Sequence, residues 1–177
     1  MNEEYRSKRI SYIVMTATLV LVLNITTPTS LPPPLGFFPL RLAAVISGIF
    51  AIIDPLSSVI GTIIGHFVYN FYFAGVFQAL AALIAPWTYF IYGHIVKFRG
   101  KITIGRLVIG HICNIIYLTT TLSLTYSLIL SVPILFMLFT FLIPLVIAET
   151  TSFFIIILIL PHIRKYILAE LKLKRFW

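Results

Sequence analysis

The chain has 177 residues, of which 60% are hydrophobic and only 10% are charged, and its mean hydropathy is +1.06. This composition excludes a soluble domain, and apolar runs of about 18 or more residues recur along the whole length, so we expect one all-α, polytopic membrane domain over residues 1–177. The formal net charge of +8 does not indicate nucleic-acid binding, because the basic residues lie in short patches beside apolar runs.

Six apolar segments predict six transmembrane helices. We place them at about residues 10–27, 40–53, 56–73, 76–92, 102–130 and 134–160, followed by a basic amphipathic tail over 162–177 that suits a membrane surface. The proline-rich stretch 27–39 predicts an irregular outer loop. Asp54 is expected to cap the third helix, Pro86 to kink the fourth and Pro144 to interrupt the sixth.

The basic patches set the expected orientation. If both termini are cytoplasmic, every patch lies on the cytoplasmic side, and Arg41 alone of the 13 Lys and Arg residues lies outside. Five spans would place the basic tail outside, against the positive-inside rule. We therefore predict a multi-pass protein of the cell membrane.

The third predicted helix has two neighbouring stripes of small and polar residues at a spacing of four. One allows close helix packing and contains Ser57, Gly61 and Gly65. The other contains hydrogen-bonding groups that must avoid lipid, and its members are Ser58, Thr62, His66 and Asn70. We expect the rest of the bundle to be built around this helix.

Glu149 is the most informative charged residue, since it falls near the middle of the sixth predicted span. An isolated carboxylate at the bilayer centre costs about 2.5–3.5 kcal/mol, so it must be protonated, paired or in a wet cavity. A role in binding a ligand or a proton and a structural bond to a neighbouring helix are both open. Arg41 either binds solute or extends to the lipid headgroups.

Converging polar and aromatic side chains in an apolar bundle predict a pocket for a small, flat, hydrogen-bonding solute. Satisfied packing is the alternative for His66, and the interfacial belt is the alternative for the aromatic residues. The predicted substrate-binding set is Arg41, His66, Asn70, Gln78, Trp87, Asn114, Tyr117 and Glu149.

The sequence shows no motif for an enzyme, a metal or a cofactor. It lacks GxxxxGK[ST], HExxH and GxSxG, and its single cysteine, Cys113, provides no disulfide framework. We therefore expect no catalytic residue, no metal site and no cofactor.

The run FPLRLAAVISGIFAIIDPLSSVIGTIIGHFVYNFYF resembles the queuosine-precursor transporter family over about residues 37–73. These proteins are substrate-binding S subunits of energy-coupling-factor vitamin transporters. The chain departs from the family pattern at Ala44, Gln78 and Ala82, and helix one lacks the paired alanines through which S subunits dock. The matching residues are Arg41, Asp54, Pro55, Gly61, Gly65 and Asn70.

The resemblance implies that the chain captures a queuosine precursor or another vitamin-like compound from outside, and that a separate transmembrane coupling subunit and two ATPase subunits power its uptake. Two other functions stay open. One is a self-sufficient channel or proton-coupled carrier that uses Glu149 as its titrating group. The other is a structural assembly protein whose glycine stripe binds partner helices.

Overall fold

The computed structural model describes residues 3–26, 42–73, 75–98 and 102–171. This part of the chain forms seven α-helices, so the all-helical class is confirmed. The helices are α1 (Glu3–Thr26), α2 (Leu42–Ile53), α3 (Pro55–Phe73), α4 (Val76–Ile84), α5 (Trp87–Val96), α6 (Ile104–Leu130) and α7 (Ile134–Leu171). Arg41, the whole predicted outer loop (27–39) and the end of the basic tail lie outside the described residues.

Five stretches in the described ranges are long and apolar enough to cross a membrane. They correspond to α1, α3, the pair α4–α5, α6 and most of α7, while α2 is a shorter apolar helix. Many large side chains on their outer surfaces are apolar and exposed, as expected for helices whose solvent is lipid.

Helix α2 lies at the centre of the bundle. Although it has only 12 residues, it contacts α1, α3, α5 and α7, and Ala51 and Ile52 on it are fully buried. Around it the core cluster includes Val59 of α3, Val96 of α5 and Leu160 of α7. Small and branched apolar side chains on α2 thus allow four helices to approach one short helix closely.

The prolines act differently from one another. Pro86 does more than kink the fourth predicted helix, because α4 ends at Ile84 and α5 begins at Trp87. The expected interruption at Pro144 is wrong, since α7 continues through Pro144 and Pro161. A proline in a membrane helix removes one backbone hydrogen bond, and tertiary packing can offset that loss.

Beyond the predicted end of the last span, α7 continues into the basic tail. Ile167 is 1% exposed and belongs to the core cluster. The first part of the tail therefore packs against the bundle.

The glycine stripe of α3 packs against α1. A methyl group added at Gly61 would lie 2.7 Å from the carbonyl oxygen of Ile13, and one added at Gly65 would lie 2.7 Å from that of Ala17. These distances are below van der Waals contact, so only glycine allows this approach. The stripe is covered by a helix of the same chain, which leaves it unavailable to a partner helix.

Asp54 links three helices at the start of α3. Its Oδ2 accepts hydrogen bonds from Ser57 Oγ at 2.7 Å and from Arg9 Nε at 3.0 Å. Burial raises the pKa of Asp54, but the hydrogen bonds from Ser57 and Arg9 and the charge of Arg9 outweigh burial and leave that pKa below 3.8. One of these bonds comes from the Ser57 backbone, as in a helix N-cap. Nearby, Lys97 Nζ donates to the carbonyl of Ile53 at 3.0 Å.

Candidate functional site

A small cavity lies where α2, α5, α6 and α7 meet. Its polar lining comes from α5, α6 and α7, and its smallest residues come from α2. The lining residues are Ala44, Gly48, Tyr89, Tyr92, His111, Asn114, Glu149, Ser152, Phe153 and Ile156.

Three helices join their polar side chains in one chain of hydrogen bonds beside the cavity. Thr88 Oγ1 on α5 donates to Asn114 Oδ1 at 2.5 Å, and Asn114 Nδ2 on α6 donates to Glu149 Oε2 on α7 at 2.8 Å. All three residues are at most 5% exposed. Because the Asn114 amide is held at both ends, its orientation is defined, and it holds the Glu149 carboxyl beside the cavity.

The hydroxyl of Tyr92 has no hydrogen-bond partner, although Tyr92 is only 4% exposed and lines the cavity. A buried hydroxyl normally finds a partner, and leaving one unpaired costs about 1–3 kcal/mol. The unpaired Oη therefore indicates a place where a water molecule or a ligand group binds.

His111 forms part of the aromatic wall. Its ring stacks on Phe153, with centroids 4.4 Å apart and planes 10° apart, and its Nε2 lies 3.4 Å from Thr150 Oγ1. This stacking fixes the plane of the imidazole.

Two small residues on α2 leave room for the cavity. A methyl group added at Gly48 would lie 2.6 Å from Ile156 Cδ1 and 4.0 Å from Tyr92 Cε1. Larger side chains at Gly48 or Ala44 would fill the cavity.

The cavity is closed to anything large. Its volume is about 10 Å³, which is room for about one water molecule. A planar heterocycle cannot enter this conformation, so its binding requires the four helices to separate.

Among the predicted binding residues that the structure describes, only Asn114 and Glu149 line the cavity. His66 instead lies 3.0 Å from Asn24 on α1, measured between Nδ1 and Nδ2. Asn70 donates to the carbonyl of Gln78 at 3.1 Å, and the Gln78 side chain is exposed.

Two aromatic residues of the predicted set also lie away from the cavity lining. The Trp87 side chain is 44% exposed and packs edge-on against Phe90. Tyr117 Oη donates to the carbonyl of Ile84 at 3.4 Å. The expected shared chamber of all these groups is therefore absent from the described bundle, and Arg41 lies outside the described residues.

The polar ladder of α3 is satisfied by neighbouring helices. Ser58 Oγ donates to the carbonyl of Ser47 at 2.7 Å, and Thr62 Oγ1 donates to Ser47 Oγ at 2.8 Å. These groups thus hold α3 against α2, which is the packing role that buried hydroxyls commonly have in membrane bundles.

Thr88 and Tyr92 were missed as site residues, and one signal could have found them. They lie four residues apart, so they share a face of α5, and a threonine and a tyrosine on one face of an apolar helix need polar partners. No cluster of three or more His, Cys, Asp or Glu residues that could hold a metal occurs in the described ranges.

No protein-family model, curated protein or solved structure matches this chain. The support for any function therefore comes from the fold and the cavity.

Proposed function

We propose that this chain is a membrane-embedded, solute-binding subunit for uptake of a small polar metabolite. One observation supports this most directly: the unpaired Tyr92 hydroxyl shares a cavity with the buried carboxyl of Glu149. Burying both in an apolar bundle costs free energy, which bound solute can offset by hydrogen bonding to them. A purely structural bundle gains nothing from leaving a hydroxyl unpaired beside a cavity.

The proposal includes alternating conformations. With room for about one water, the cavity corresponds to a closed state, and a solute enters when the four surrounding helices open. Selectivity then comes from a difference in solute affinity between the open and closed states.

We further propose six spans with both termini in the cytoplasm. Helix α2 is then a span in addition to the five long apolar stretches. Its 12 residues rise about 18 Å, which is less than the thickness of about 30 Å of a hydrocarbon core. The distribution of Lys and Arg supports this orientation. Reporter fusions after residues 30, 75, 100, 132 and 177 test it, and an extracytoplasmic signal at residue 100 or 177 would contradict it.

The energy source in this proposal is a separate complex. The sequence has no phosphate-binding loop of its own, and the run over about residues 37–73 resembles S subunits that work with a coupling subunit and two ATPases. A queuosine precursor or another vitamin-like compound is the solute that this resemblance implies.

Binding by purified protein in lipid nanodiscs tests the proposal. Titration calorimetry with a panel of deazapurines, vitamins and small polar metabolites is expected to find one saturable ligand. Glu149→Gln and Asn114→Ala should each weaken it at least about tenfold, because the first replaces one carboxyl oxygen by an NH2 donor and the second removes a buried amide. Gly105→Ala, at a position with open space around it, is the control and should bind normally. Absence of saturable binding across the panel would overturn the proposal.

A proton-coupled carrier is the second candidate. It is favoured by the presence of two groups that can exchange protons, Glu149 and His111, in one cavity. It predicts that liposomes containing this chain alone take up solute when a pH gradient is imposed, and that Glu149→Gln abolishes the uptake. Uptake that depends entirely on added ATPase subunits would rule it out.

A further inference from the structure

Two buried hydroxyl groups on α6 make no hydrogen bond. They belong to Thr119 and Ser123, which are 4% and 0% exposed. The two residues lie four positions apart, so they share one face of the helix. Because buried hydroxyl groups normally find a partner, these two indicate a contact that the protein does not make in this conformation.

Other hydroxyl groups in the described helices are bonded locally. Thr125 of α6 and both Thr140 and Thr151 of α7 donate to the carbonyl four residues earlier, each at 2.8 Å. The same local bond is open to any serine or threonine inside a helix. Since Thr119 and Ser123 do not make it, their hydroxyl groups are turned away from that acceptor.

The two unpaired hydroxyl groups lie at the height of Pro144 on the neighbouring helix. Two contacts define how α6 and α7 are aligned. Asn114 Nδ2 lies 2.8 Å from Glu149 Oε2, and the ring centroids of Tyr126 and Phe141 are 5.2 Å apart. The helices are antiparallel between these contacts, so both hydroxyl groups come within about one turn of the proline along the helix axis.

Pro144 leaves one carbonyl of α7 without its usual donor. Proline has no N–H, so the carbonyl of Thr140 cannot accept the helical hydrogen bond that residue 144 would otherwise donate. In membrane proteins, serine and threonine side chains of neighbouring helices are among the groups that satisfy such a carbonyl. Thus α6 has two unpaired donors beside a helix in which one acceptor has lost its donor.

We propose that α7 has a second conformation, bent further at Pro144, in which the hydroxyl groups of Thr119 and Ser123 donate to the carbonyl of Thr140. The bend moves residues 134–143 relative to the part of α7 that lines the cavity, because the lining residues from Glu149 onward follow the proline. This hinge goes beyond the proposed solute binding and does not depend on it.

Distances between spin labels test the hinge. Labels attached to cysteines at Leu135 on α7, Tyr72 on α3 and Ile25 on α1 replace side chains that are 65%, 75% and 53% exposed. The full chain carries Cys113→Ala, so that only the introduced cysteines react, and is measured in lipid nanodiscs by pulsed electron double resonance.

Two label pairs follow the movement from different directions, Leu135 with Tyr72 and Leu135 with Ile25. Leu135 lies about 13 Å along α7 from the proline, so an added bend of about 20° moves it by about 5 Å. At least one of these pairs should therefore show two distance populations. Leu158, which follows the proline and is 69% exposed, should show a single population with Tyr72.

Variants then identify the groups that stabilise the bent form. Thr119→Val combined with Ser123→Ala removes both donors and should lower the population of the bent form about three- to tenfold. Pro144→Ala restores the missing N–H and should leave one population. Thr125→Val removes a hydroxyl that is bonded within α6, so this matched control should keep both populations.

Two results would overturn the hinge: a single population for both Leu135 pairs in the labelled parent, or an unchanged ratio of populations in the double variant. Thermal unfolding of each variant checks folding, and if Pro144→Ala does not fold, the double variant decides the outcome. No solute is added in these measurements, so the hinge can fail while the solute-binding proposal stands, and the reverse.

Discussion

Asn24 and His66 join α1 to α3, with Asn24 Nδ2 and His66 Nδ1 3.0 Å apart. Asn24 is 3% exposed, so this contact places a buried polar pair in the α1–α3 interface. His66 thus has a partner on α1 and is not among the cavity-lining residues. This contact therefore joins two helices and is separate from the cavity.

Breaking this pair should loosen α1 without affecting solute binding. Asn24→Leu and His66→Leu should each lower the free energy of unfolding, and their coupling in a double-mutant cycle should be about 0.6 kcal/mol, up to about 1.7, as for other hydrogen bonds between membrane helices. Unfolding in bicelles measures both. Strictly additive effects, or loss of solute binding in His66→Leu with α1 intact, would contradict the assignment.

Replacing the glycines under α1 should be far more damaging than replacing an exposed glycine. Gly61→Ala and Gly65→Ala bring a methyl group to 2.7 Å from carbonyl oxygens of α1, so each should destabilise the bundle by about 1–3 kcal/mol. Gly105→Ala meets no atom within 4 Å and should be neutral or stabilising by up to about 1 kcal/mol, since alanine favours helix. Thermal unfolding of the three variants in parallel tests the difference, and equal effects would show that α1 does not pack this closely.

The Asp54 ion pair should make stability depend on acid. The folded state holds the pKa of Asp54 below 3.8, so folding favours the carboxylate; the stabilisation is complete above the unfolded pKa, about 3.9, and is lost as pH falls through the lower folded value.

Unfolding temperatures measured from pH 7 to pH 3 should therefore fall more steeply for the wild type than for Asp54→Asn, which cannot lose a proton at this position. Arg9→Gln removes the partner and should reduce the pH dependence in part. Identical slopes in the wild type and Asp54→Asn would be inconsistent with an ionised Asp54 in the folded state.

The amide of Asn114 should matter more than the hydroxyl of Thr88. Asn114→Leu removes the donor to Glu149 Oε2 and should destabilise the fold by about 1–3 kcal/mol, the cost of a buried acceptor that loses its partner. Thr88→Val keeps the shape and removes only the hydrogen bond to Asn114 Oδ1, so about 0.6–1.7 kcal/mol is expected. Denaturant titration in bicelles ranks the two, and the reverse order would show that Asn114 is not the central link.

Gly48→Ala should reduce solute binding more than stability. The added methyl group would meet the end of the flexible Ile156 side chain at 2.6 Å, and Ile156 itself lines the cavity. We expect binding to weaken at least about tenfold, which is about 1.4 kcal/mol, with an unfolding cost below about 1 kcal/mol, because the end of a flexible side chain can move aside. Calorimetry on the folded variant gives the first quantity, and undiminished binding would place the solute elsewhere.

The helices were predictable from sequence because lipid imposes simple requirements on length and hydrophobicity. Residues 56–73 were predicted as a span, and α3 occupies Pro55–Phe73. The effects of the prolines were not predictable in the same way. Whether a helix continues through Pro144 depends on packing with neighbouring helices, which the sequence alone does not show.

The site was predictable only in part, for a related reason. A carboxyl in an apolar run must be satisfied, which identifies Glu149, and Asn114 is one of the polar side chains expected to converge in the bundle. Periodicity defines the face of a helix but not the neighbour that covers it. His66 was therefore assigned to the predicted binding pocket, although its partner is Asn24 on α1.

The break at Pro86 has a consequence for how access to the cavity is gained. Helix α5 is ten residues long, about 15 Å, and holds Thr88 and Tyr92. Near its far end, Gly93 packs tightly against the carbonyl of Ala51. Thr88 lies five residues before Gly93, so a rotation of α5 by about 10° about Gly93 moves Thr88 by about 1–2 Å. In the function proposed above, a tilt of α5 about Gly93, with the Pro86 end moving most, is therefore one way in which α5 separates from the other three helices.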